Sequence, residues 1–255
     1  MSHENFAVST AAGVAEVLID RPDKHNALTL GMWRSLGQIC ADLAADTELR
    51  AVVVSGAGPS FCSGADISAL SEDDASVKAA VYTAEEALRG LPVPTIAKIR
   101  GHCLGGGTQI AVACDLRVAD SSATFAVPPA KLGVVYPVNS TRALVALIGP
   151  AAAKRLLFTA AAIDAAEAHR LGLVDELAAP AELDAAVARL TDAILPLAPM
   201  TQAASKELID TIAAGGDADA LQARWYAQWR ASDDGREGPR AFLERRAPAF
   251  SWRRS

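Results

Sequence analysis

Two glycine-containing segments are the places where the backbone of this chain is best suited to chemistry. The first spans residues 61–67 (FCSGADI) and the second spans residues 101–109 (GHCLGGGTQ), and each follows a short apolar run. Glycine lets a ligand approach the backbone closely, and the first turn of a helix has N–H groups without intrahelical acceptors. One N–H from each segment could therefore converge on a single developing oxyanion. Either segment taken alone is also compatible with an ordinary tight turn.

The polar side chains around these segments have simpler interpretations. His102 is expected to be a structural donor beside a turn, and Asp66 is expected to hydrogen-bond the local backbone. Glu85 and Glu86 are predicted to lie on an exposed face of a helix. Tyr136 is either an amphipathic packing residue or a group that contacts a ligand, and the residues alone leave both open.

The elements that must position the two segments follow from apolar patterning and from turn residues. Compact apolar runs predict strands at 14–19, 51–55, 95–99 and 116–119. Helices are predicted at 30 to about 45 after the N-cap Thr29, at about 72–88, and at 108–114. Strands and helices alternate early, and helices dominate beyond about residue 151, so the pattern predicts an α/β core with a helical C-terminal part. We assign residues 1–195 to the core and residues 196–255 to the C-terminal region.

Composition limits the classes of protein that fit. The chain has 255 residues, of which 51% are hydrophobic, so it can bury the core of one large domain. Its net charge of −6 argues against general nucleic-acid binding. No apolar run reaches the roughly 18–20 residues of a membrane helix, and the N-terminus carries no signal pattern. We therefore expect a cytoplasmic protein whose four cysteines are free thiols and which holds no metal.

Six stretches, in this order, resemble the enoyl-CoA hydratase (crotonase) superfamily along nearly the whole chain. They are residues 21–28 (RPDKHNAL), 61–67, 94–115, 125–133, 166–175 and 238–250. The resemblance implies a crotonase-like spiral of repeated ββα units, with C-terminal helices that cover a neighbouring subunit in a homotrimer or hexamer. It also implies an acyl-CoA thioester as substrate, with coenzyme A as part of that substrate and no separate cofactor.

The same resemblance implies roles for particular residues. It places the two oxyanion donors at the backbone N–H groups of Ala65 and Gly106. The residues that it places along the CoA portion of the substrate are Lys24, Ala27, Ala65, Asp66 and Ile67. For the side chain of Lys24, a solvated surface position is an equally good interpretation. Arg246, near the end that would reach a neighbouring subunit, is a candidate for contacting the anionic nucleotide of CoA.

Two positions depart from the hydratase pattern that this family implies. Hydratases of the family carry two glutamates that hold and activate water, and the matching positions here are Gln109 and Pro129. An amide does not titrate and proline has no side-chain donor, whereas a positioned acid–base group contributes about 10²–10⁴-fold to a rate. Hydration is therefore expected to be slow, and isomerisation through the second glutamate position is excluded. The backbone oxyanion hole is unaffected by either substitution.

Three functions follow from this departure. The first is an acyl-CoA enzyme that needs an enolate or oxyanion but no protein base, as in decarboxylation of a malonyl-type thioester or thioester hydrolysis. Residues 132–136 (LGVVY) also resemble the methylmalonyl-CoA decarboxylase branch, in which a tyrosine at the position of Tyr136 contacts the substrate. That branch retains an acid where Gln109 stands. The second function is a hydratase or isomerase with different acid–base groups, and the third is a non-catalytic acyl-CoA-binding scaffold.

Overall fold

The computed structural model describes residues 3–66 and 74–254 of the chain. Its strands are β1 (Phe6–Ala11), β2 (Val14–Ile19), β3 (Ala51–Gly56), β4 (Thr95–Ile99), β5 (His102–Leu104), β6 (Leu116–Asp120), β7 (Thr124–Ala126), β8 (Ile163–Asp164) and β9 (Glu176–Ala178). Its helices are α1 (Leu30–Ala45), α2 (Asp74–Arg89), α3 (Gly106–Ala113), α4 (Pro129–Leu132), α5 (Val138–Thr159), α6 (Ala165–Leu171), α7 (Leu183–Ile194), α8 (Pro199–Ala213), α9 (Asp219–Ala231) and α10 (Asp234–Glu244).

Two sheets organise the core. The larger one has the strand order β1-β2-β3-β4-β6-β9, in which β1 pairs antiparallel with β2 and every other pair is parallel. The smaller one has the order β5-β7-β8. After β4 the chain enters the smaller sheet at β5 and continues into α3, and after β6 it enters at β7 and continues into α4. This repetition of two strands and a helix confirms the predicted α/β fold of ββα units.

Local sequence explains the elements that lead to the candidate site. In β3 every residue from Ala51 to Ser55 is buried, which suits a parallel strand covered on both faces. The hydroxyl of Thr29 accepts a hydrogen bond from the N–H of Met32 at 3.1 Å and caps α1 as predicted. The buried side of α1, including Trp33, packs on α2 and on the main core.

One helix boundary differs from the sequence-based expectation, and another predicted boundary falls outside the described residues. α3 begins at Gly106, two residues before the predicted start, although glycine is a poor helix former. Every residue of α3 is buried, so tertiary packing outweighs this local propensity. The predicted start of α2 near residue 72 lies outside the described residues, and the helix is described from Asp74.

Candidate active site

The two glycine-containing segments lie side by side, as the sequence suggested. The N–H of Cys62 donates to the carbonyl oxygen of His102 at 2.7 Å, and the N–H of Leu104 donates to the carbonyl oxygen of Cys62 at 2.9 Å. These bonds form an isolated parallel bridge between Cys62 and Cys103. A Cβ on Gly107 would overlap the carbonyl oxygen of Cys62, so glycine is required for this approach. Gly64, with φ of 110°, turns the first segment back towards the second.

The backbone N–H groups of Ala65 and Gly106 come together at the N-terminus of α3. A Cβ built on Gly106 would lie 3.2 Å from the nitrogen of Ala65. The hydrogen bonds next to Ala65 run from Leu28 N–H to the Gly64 oxygen and from Asp66 N–H to the Leu28 oxygen, both at 2.8 Å. Within the described ranges, neither of the two N–H groups has a backbone acceptor. Two adjacent donors at the positive end of a helix can together bind one anionic oxygen.

The segment that precedes α1 runs along the first glycine-containing segment. The N–H of Ser63 donates to the carbonyl oxygen of His25 at 2.9 Å, and Leu28 forms a parallel bridge with Ala65. The structure therefore brings Lys24, Ala27, Ala65 and Asp66 into one neighbourhood, with Lys24 exposed. Ile67 lies outside the described residues.

An ion pair that the sequence did not reveal fixes these two segments to each other. The guanidinium of Arg21 donates to a carboxylate oxygen of Asp66 at 2.7 Å and to the carbonyl oxygen of Ala27 at 2.9 Å. The side chain of Asp66 therefore reaches across 45 residues of sequence rather than serving only its own turn. Arg21 lies in the first of the six family-like stretches, but only the fold shows that Asp66 is its partner.

The family resemblance matches Gln109 and Pro129 to two hydratase glutamates, and both lie near the glycine triplet of residues 105–107, here called the oxyanion segment. Gln109 is buried one turn after Gly106 on α3, and its side-chain amide donates to the hydroxyl of Ser140 at 3.1 Å. Pro129 is buried in the first turn of α4, directly after β7. Since the N–H of Gly105 donates to the carbonyl oxygen of Ala126 at 2.8 Å, the end of β7 is attached to the oxyanion segment.

The prediction that Glu85 lies on an exposed helical face is wrong. Only 1% of Glu85 is exposed, and its carboxylate accepts hydrogen bonds from the hydroxyl of Ser140 at 2.6 Å and from the side-chain amide of Asn139. Burial raises the pKa of Glu85 from 4.5 to about 7, and the hydrogen bond from Ser140 opposes that rise. The neighbouring Glu86 is exposed as predicted and pairs with Arg89.

A signal for the burial of Glu85 was present in the sequence. Val81, Ala84 and Leu88 are buried. Val81 lies four residues before Glu85, Ala84 one residue before it, and Leu88 three residues after it. Spacings of three and four residues bring side chains to the same face of a helix, so Glu85 lies within the apolar stripe of α2. The periodicity of the apolar residues therefore indicates the side of α2 on which Glu85 lies, in spite of its charge.

Buried polar atoms without a partner in the described part of the chain gather around the same place. Of six such atoms, three lie here, namely Trp33 Nε1, the hydroxyl of Tyr136 and Asn139 Oδ1, and the other three belong to arginine side chains elsewhere. The ring of Trp33 lies beside Gly106, since a Cβ there would be 3.1 Å from Trp33 Cζ2. Burial raises the pKa of Tyr136, and the charge of Glu85 raises it further. Buried polar atoms are normally paired, so this grouping is typical of a ligand site.

Arg246 is engaged in ion pairs at the end of α10. Its guanidinium donates to Glu237 at 2.5 and 3.0 Å and to Glu244 at 2.6 Å, and these bonds raise its pKa. It also lines a cavity of about 1140 Å³ between the α3–β6 region and helices α8 and α10. Asn139, whose side-chain amide donates to Glu85, lines the same cavity. Neither Ala65 nor Gly106 is among the lining residues, so the cavity is distinct from the oxyanion segment.

The described residues contain no group of three or more histidine, cysteine, aspartate or glutamate side chains arranged to hold a metal ion. Cys40, Cys62, Cys103 and Cys114 are buried free thiols, as predicted. In the part of the chain that the structure covers, no helix combines the length and apolar character needed to cross a membrane.

Comparison with known proteins agrees with the geometry. The sequence profile of the family described as "Enoyl-CoA hydratase/isomerase" matches residues 9–253. The human "Enoyl-CoA hydratase domain-containing protein 2, mitochondrial" is 38% identical over 93% of this chain and 85% of that protein. The "Short-chain-enoyl-CoA hydratase" of Clostridium acetobutylicum is 33% identical over 96% of this chain and 97% of that protein.

Solved structures give the same result. The crystal structure of a family protein from Hyphomonas neptunium, described as a putative enoyl-CoA hydratase/isomerase, superposes with a TM-score of 0.92. It is 33% identical, and the match covers 98% of each chain. With the parallel ββα architecture and the paired backbone donors, these matches show that the chain belongs to the enoyl-CoA hydratase/isomerase (crotonase) family.

Proposed function

We propose that the protein binds an acyl-CoA thioester and stabilises the enolate or tetrahedral oxyanion that forms at its carbonyl group. The supporting observation is the adjacent pair of N–H groups of Ala65 and Gly106. Donors that are already in position stabilise developing charge without reorganising during the reaction. Lys24, Ala27, Asp66 and Ile67 are the proposed contacts to the CoA portion.

Decarboxylation of a malonyl-type thioester is the first candidate reaction, with thioester hydrolysis beside it. Loss of CO2 produces the enolate directly, so it needs no base to remove a proton. Gln109 and Pro129 supply no carboxylate, which fits such a reaction better than ordinary hydration. The buried, unpaired hydroxyl of Tyr136 is the proposed donor to the substrate's departing carboxylate or carbonyl group.

Hydration or isomerisation is the second candidate, and one observation favours it. The buried Glu85 is connected through Ser140 to Gln109, the position to which the family resemblance assigns a hydratase glutamate. A carboxyl group whose pKa is about 7 can act as acid or base near neutral pH. The chain thus carries a carboxyl group close to the expected place, on α2 instead of α3.

Replacing Gly106 tests the oxyanion assignment. Gly106→Pro removes the N–H, whereas the matched control Gly106→Ala adds a Cβ at the same place and keeps the N–H. Turnover of the proline variant is expected to fall about 10²-fold or more below that of the alanine variant. Steady-state rates on the active thioester, with circular dichroism to verify folding, would measure this. A folded proline variant that keeps the wild-type rate would contradict the assignment.

A panel of thioesters separates the candidate reactions. Crotonyl-CoA, methylmalonyl-CoA and saturated acyl-CoAs are incubated with the protein, and the products are identified by mass spectrometry. We expect CO2 loss or CoA release to exceed hydration of crotonyl-CoA. A hydration kcat near the upper end of ordinary enzymes, about 10³ s⁻¹, would contradict slow hydration. No turnover of any thioester would favour the non-catalytic scaffold.

A further inference from the structure

We infer that Glu85 is the group that exchanges a proton with the α-carbon of the bound thioester. This inference rests on the proposed function, because it assumes that an enolate is held by Ala65 and Gly106. It goes further in naming a catalytic acid–base residue on α2, a helix to which neither departing position belongs.

The position of Glu85 relative to α3 supports this role. Gln109 follows Gly106 by three residues, so the two lie on one face of α3, about 4.5 Å apart along its axis. From Gln109 two hydrogen bonds, of 3.1 and 2.6 Å, lead through the Ser140 hydroxyl to the Glu85 carboxylate. The buried Tyr136 hydroxyl is close enough for its pKa to respond to both Glu85 and Cys103, and Cys103 lies in β5 before the oxyanion segment. Glu85 is therefore linked through one hydroxyl group to the face of α3 that carries Gly106 and Gln109.

The chemical environment of Glu85 supports the same role. Glu85 is almost fully buried and has no ion-pair partner among the described residues, unlike Glu86 on the next position of the helix. The groups that act on its pKa are the Ser140 hydroxyl and Arg89, which lower it, and Glu86, which raises it. Tyr136 and Asn139 face it from the segment between α4 and α5 and from α5 itself, and each has an unpaired buried polar atom. A purely structural carboxylate at such a position is normally neutralised by a cation.

The proposed proton exchange between Cα and Glu85 is a balanced reaction. In the forward direction the Cα–H bond breaks, and the proton moves to a carboxylate oxygen of Glu85. The electron pair of that bond shifts to the thioester carbonyl, whose oxygen becomes anionic between the N–H groups of Ala65 and Gly106. In the reverse direction the neutral carboxyl group of Glu85 returns the proton to Cα. The reverse step also completes a decarboxylation, in which the enolate arises by loss of CO2 and Glu85 is then reprotonated by solvent.

Hydrogen exchange tests the inference without knowledge of the natural substrate. Butanoyl-CoA is incubated with the protein in D2O, and deuterium at Cα is measured by mass spectrometry. Glu85→Gln, which keeps an acceptor oxygen for Ser140, is expected to reduce the exchange rate by about 10²–10⁴-fold. Glu86→Gln, the control on the adjacent position, is expected to change the exchange rate far less, because Glu86 is the smallest of the influences on the pKa of Glu85. Wild-type protein that does not catalyse exchange, or a Glu85→Gln variant that exchanges normally, would overturn the inference.

A second readout keeps this test apart from the test of the oxyanion hole. Acetoacetyl-CoA ionises readily, so the near-ultraviolet absorption of its bound enolate reports the donors without requiring Glu85. Glu85→Gln is expected to keep this signal, whereas Gly106→Pro is expected to lose it relative to Gly106→Ala. A wild-type protein without any enolate signal would contradict the proposed function itself. A normal signal together with unaffected exchange in Glu85→Gln would contradict only the role of Glu85.

The pH profile distinguishes a catalytic role from a structural one and does not depend on the stability of Glu85→Gln. Ser140→Ala retains Glu85 but removes the hydrogen bond that lowers its pKa. The half-maximal point of the exchange rate against pH is therefore expected to move to higher pH in this variant. An unchanged profile in folded Ser140→Ala would show that Glu85 does not carry the proton.

Discussion

The burial of Glu85 couples the stability of the fold to pH. Because burial raises its pKa from 4.5 to about 7, the folded protein holds a proton that the unfolded chain releases earlier as pH rises. The stabilisation is complete below about pH 4.5 and is lost as pH rises through about 7. The gap between these two pKa values corresponds to roughly 3 kcal/mol.

We therefore expect the free energy of unfolding of the wild type, relative to Glu85→Gln, to fall by roughly 3 kcal/mol between pH 4.5 and pH 7.5. Comparing the two proteins removes the titration of all other groups to a first approximation. Urea unfolding at several pH values would measure the difference. A difference that is constant over this range would show that Glu85 has an ordinary pKa in the folded state.

Arg246 gives a second prediction at the scale of single residues. Arg246→Glu is expected to weaken CoA binding and to reduce its dependence on salt, because an anionic nucleotide is attracted by a nearby cation. Since Arg246 also binds Glu237 and Glu244, thermal unfolding must accompany calorimetric titration of CoA at two ionic strengths. Arg245→Glu makes the same charge change at an exposed neighbour. An unchanged dissociation constant and salt slope in folded Arg246→Glu would exclude the contact.

At the scale of single elements, α3 presents a proposed oxyanion donor at its N-terminus and is hydrogen-bonded by a buried arginine at its C-terminus. Its N-terminus presents Gly106, and its C-terminal carbonyl group at Cys114 accepts a hydrogen bond from the guanidinium of Arg117 at 2.8 Å. Arg117 is buried and forms an ion pair with Asp175 at 2.7 Å. A cation at the C-terminal end of a helix satisfies free carbonyl groups and opposes the negative end of the dipole. The donor end of α3 is thereby kept in a fixed place.

The start of α1 allows a prediction for a single element. Thr29→Ala removes the N-cap acceptor of the Met32 N–H and is expected to lower the free energy of unfolding by about 1 kcal/mol. Thr29→Ser keeps a hydroxyl and is the matched control. Chemical denaturation of the three proteins would measure the effect. Equal stability of Thr29→Ala and Thr29→Ser would show that the cap contributes little to α1.

At the scale of the whole molecule, large apolar side chains are exposed in the C-terminal region and on α5. Phe242 is 83% exposed, Leu243 is 80% exposed and Phe158 is 75% exposed. Apolar groups of this size are seldom left in water without a partner. These exposed groups are consistent with the homotrimer or hexamer that the family resemblance implies, and light scattering at micromolar concentration would measure its mass. Phe242→Ser with Leu243→Ser is expected to shift the mass towards monomer, and a stable wild-type monomer would contradict the prediction.

The sequence by itself determined the features that depend on local pattern. Apolar runs located the strands that precede both glycine segments, and Thr29 marked the start of α1. The order of the motifs indicated the family and the pair of donors at Ala65 and Gly106. The predicted strands, the helix cap and the close approach of the two glycine segments were confirmed, because strand burial, helix capping and the glycines that permit a close approach depend on residues near one another in the chain. The role of Ala65 and Gly106 as oxyanion donors stays a prediction.

Only the tertiary structure decided which polar side chains meet. Asp66 pairs with Arg21, 45 residues away in the sequence, and Glu85 accepts a hydrogen bond from Ser140, 55 residues away. No local pattern contains either pair. The apolar stripe of α2 indicates which side of the helix is buried, but the groups that contact Glu85 there depend on the elements that α2 packs against, which include α3 and α5. Desolvation then changes the chemistry of the carboxyl group, raising the pKa of Glu85 to about 7. The physical reason is that burial and hydrogen bonding are properties of the folded surroundings, which the identity of one residue does not specify.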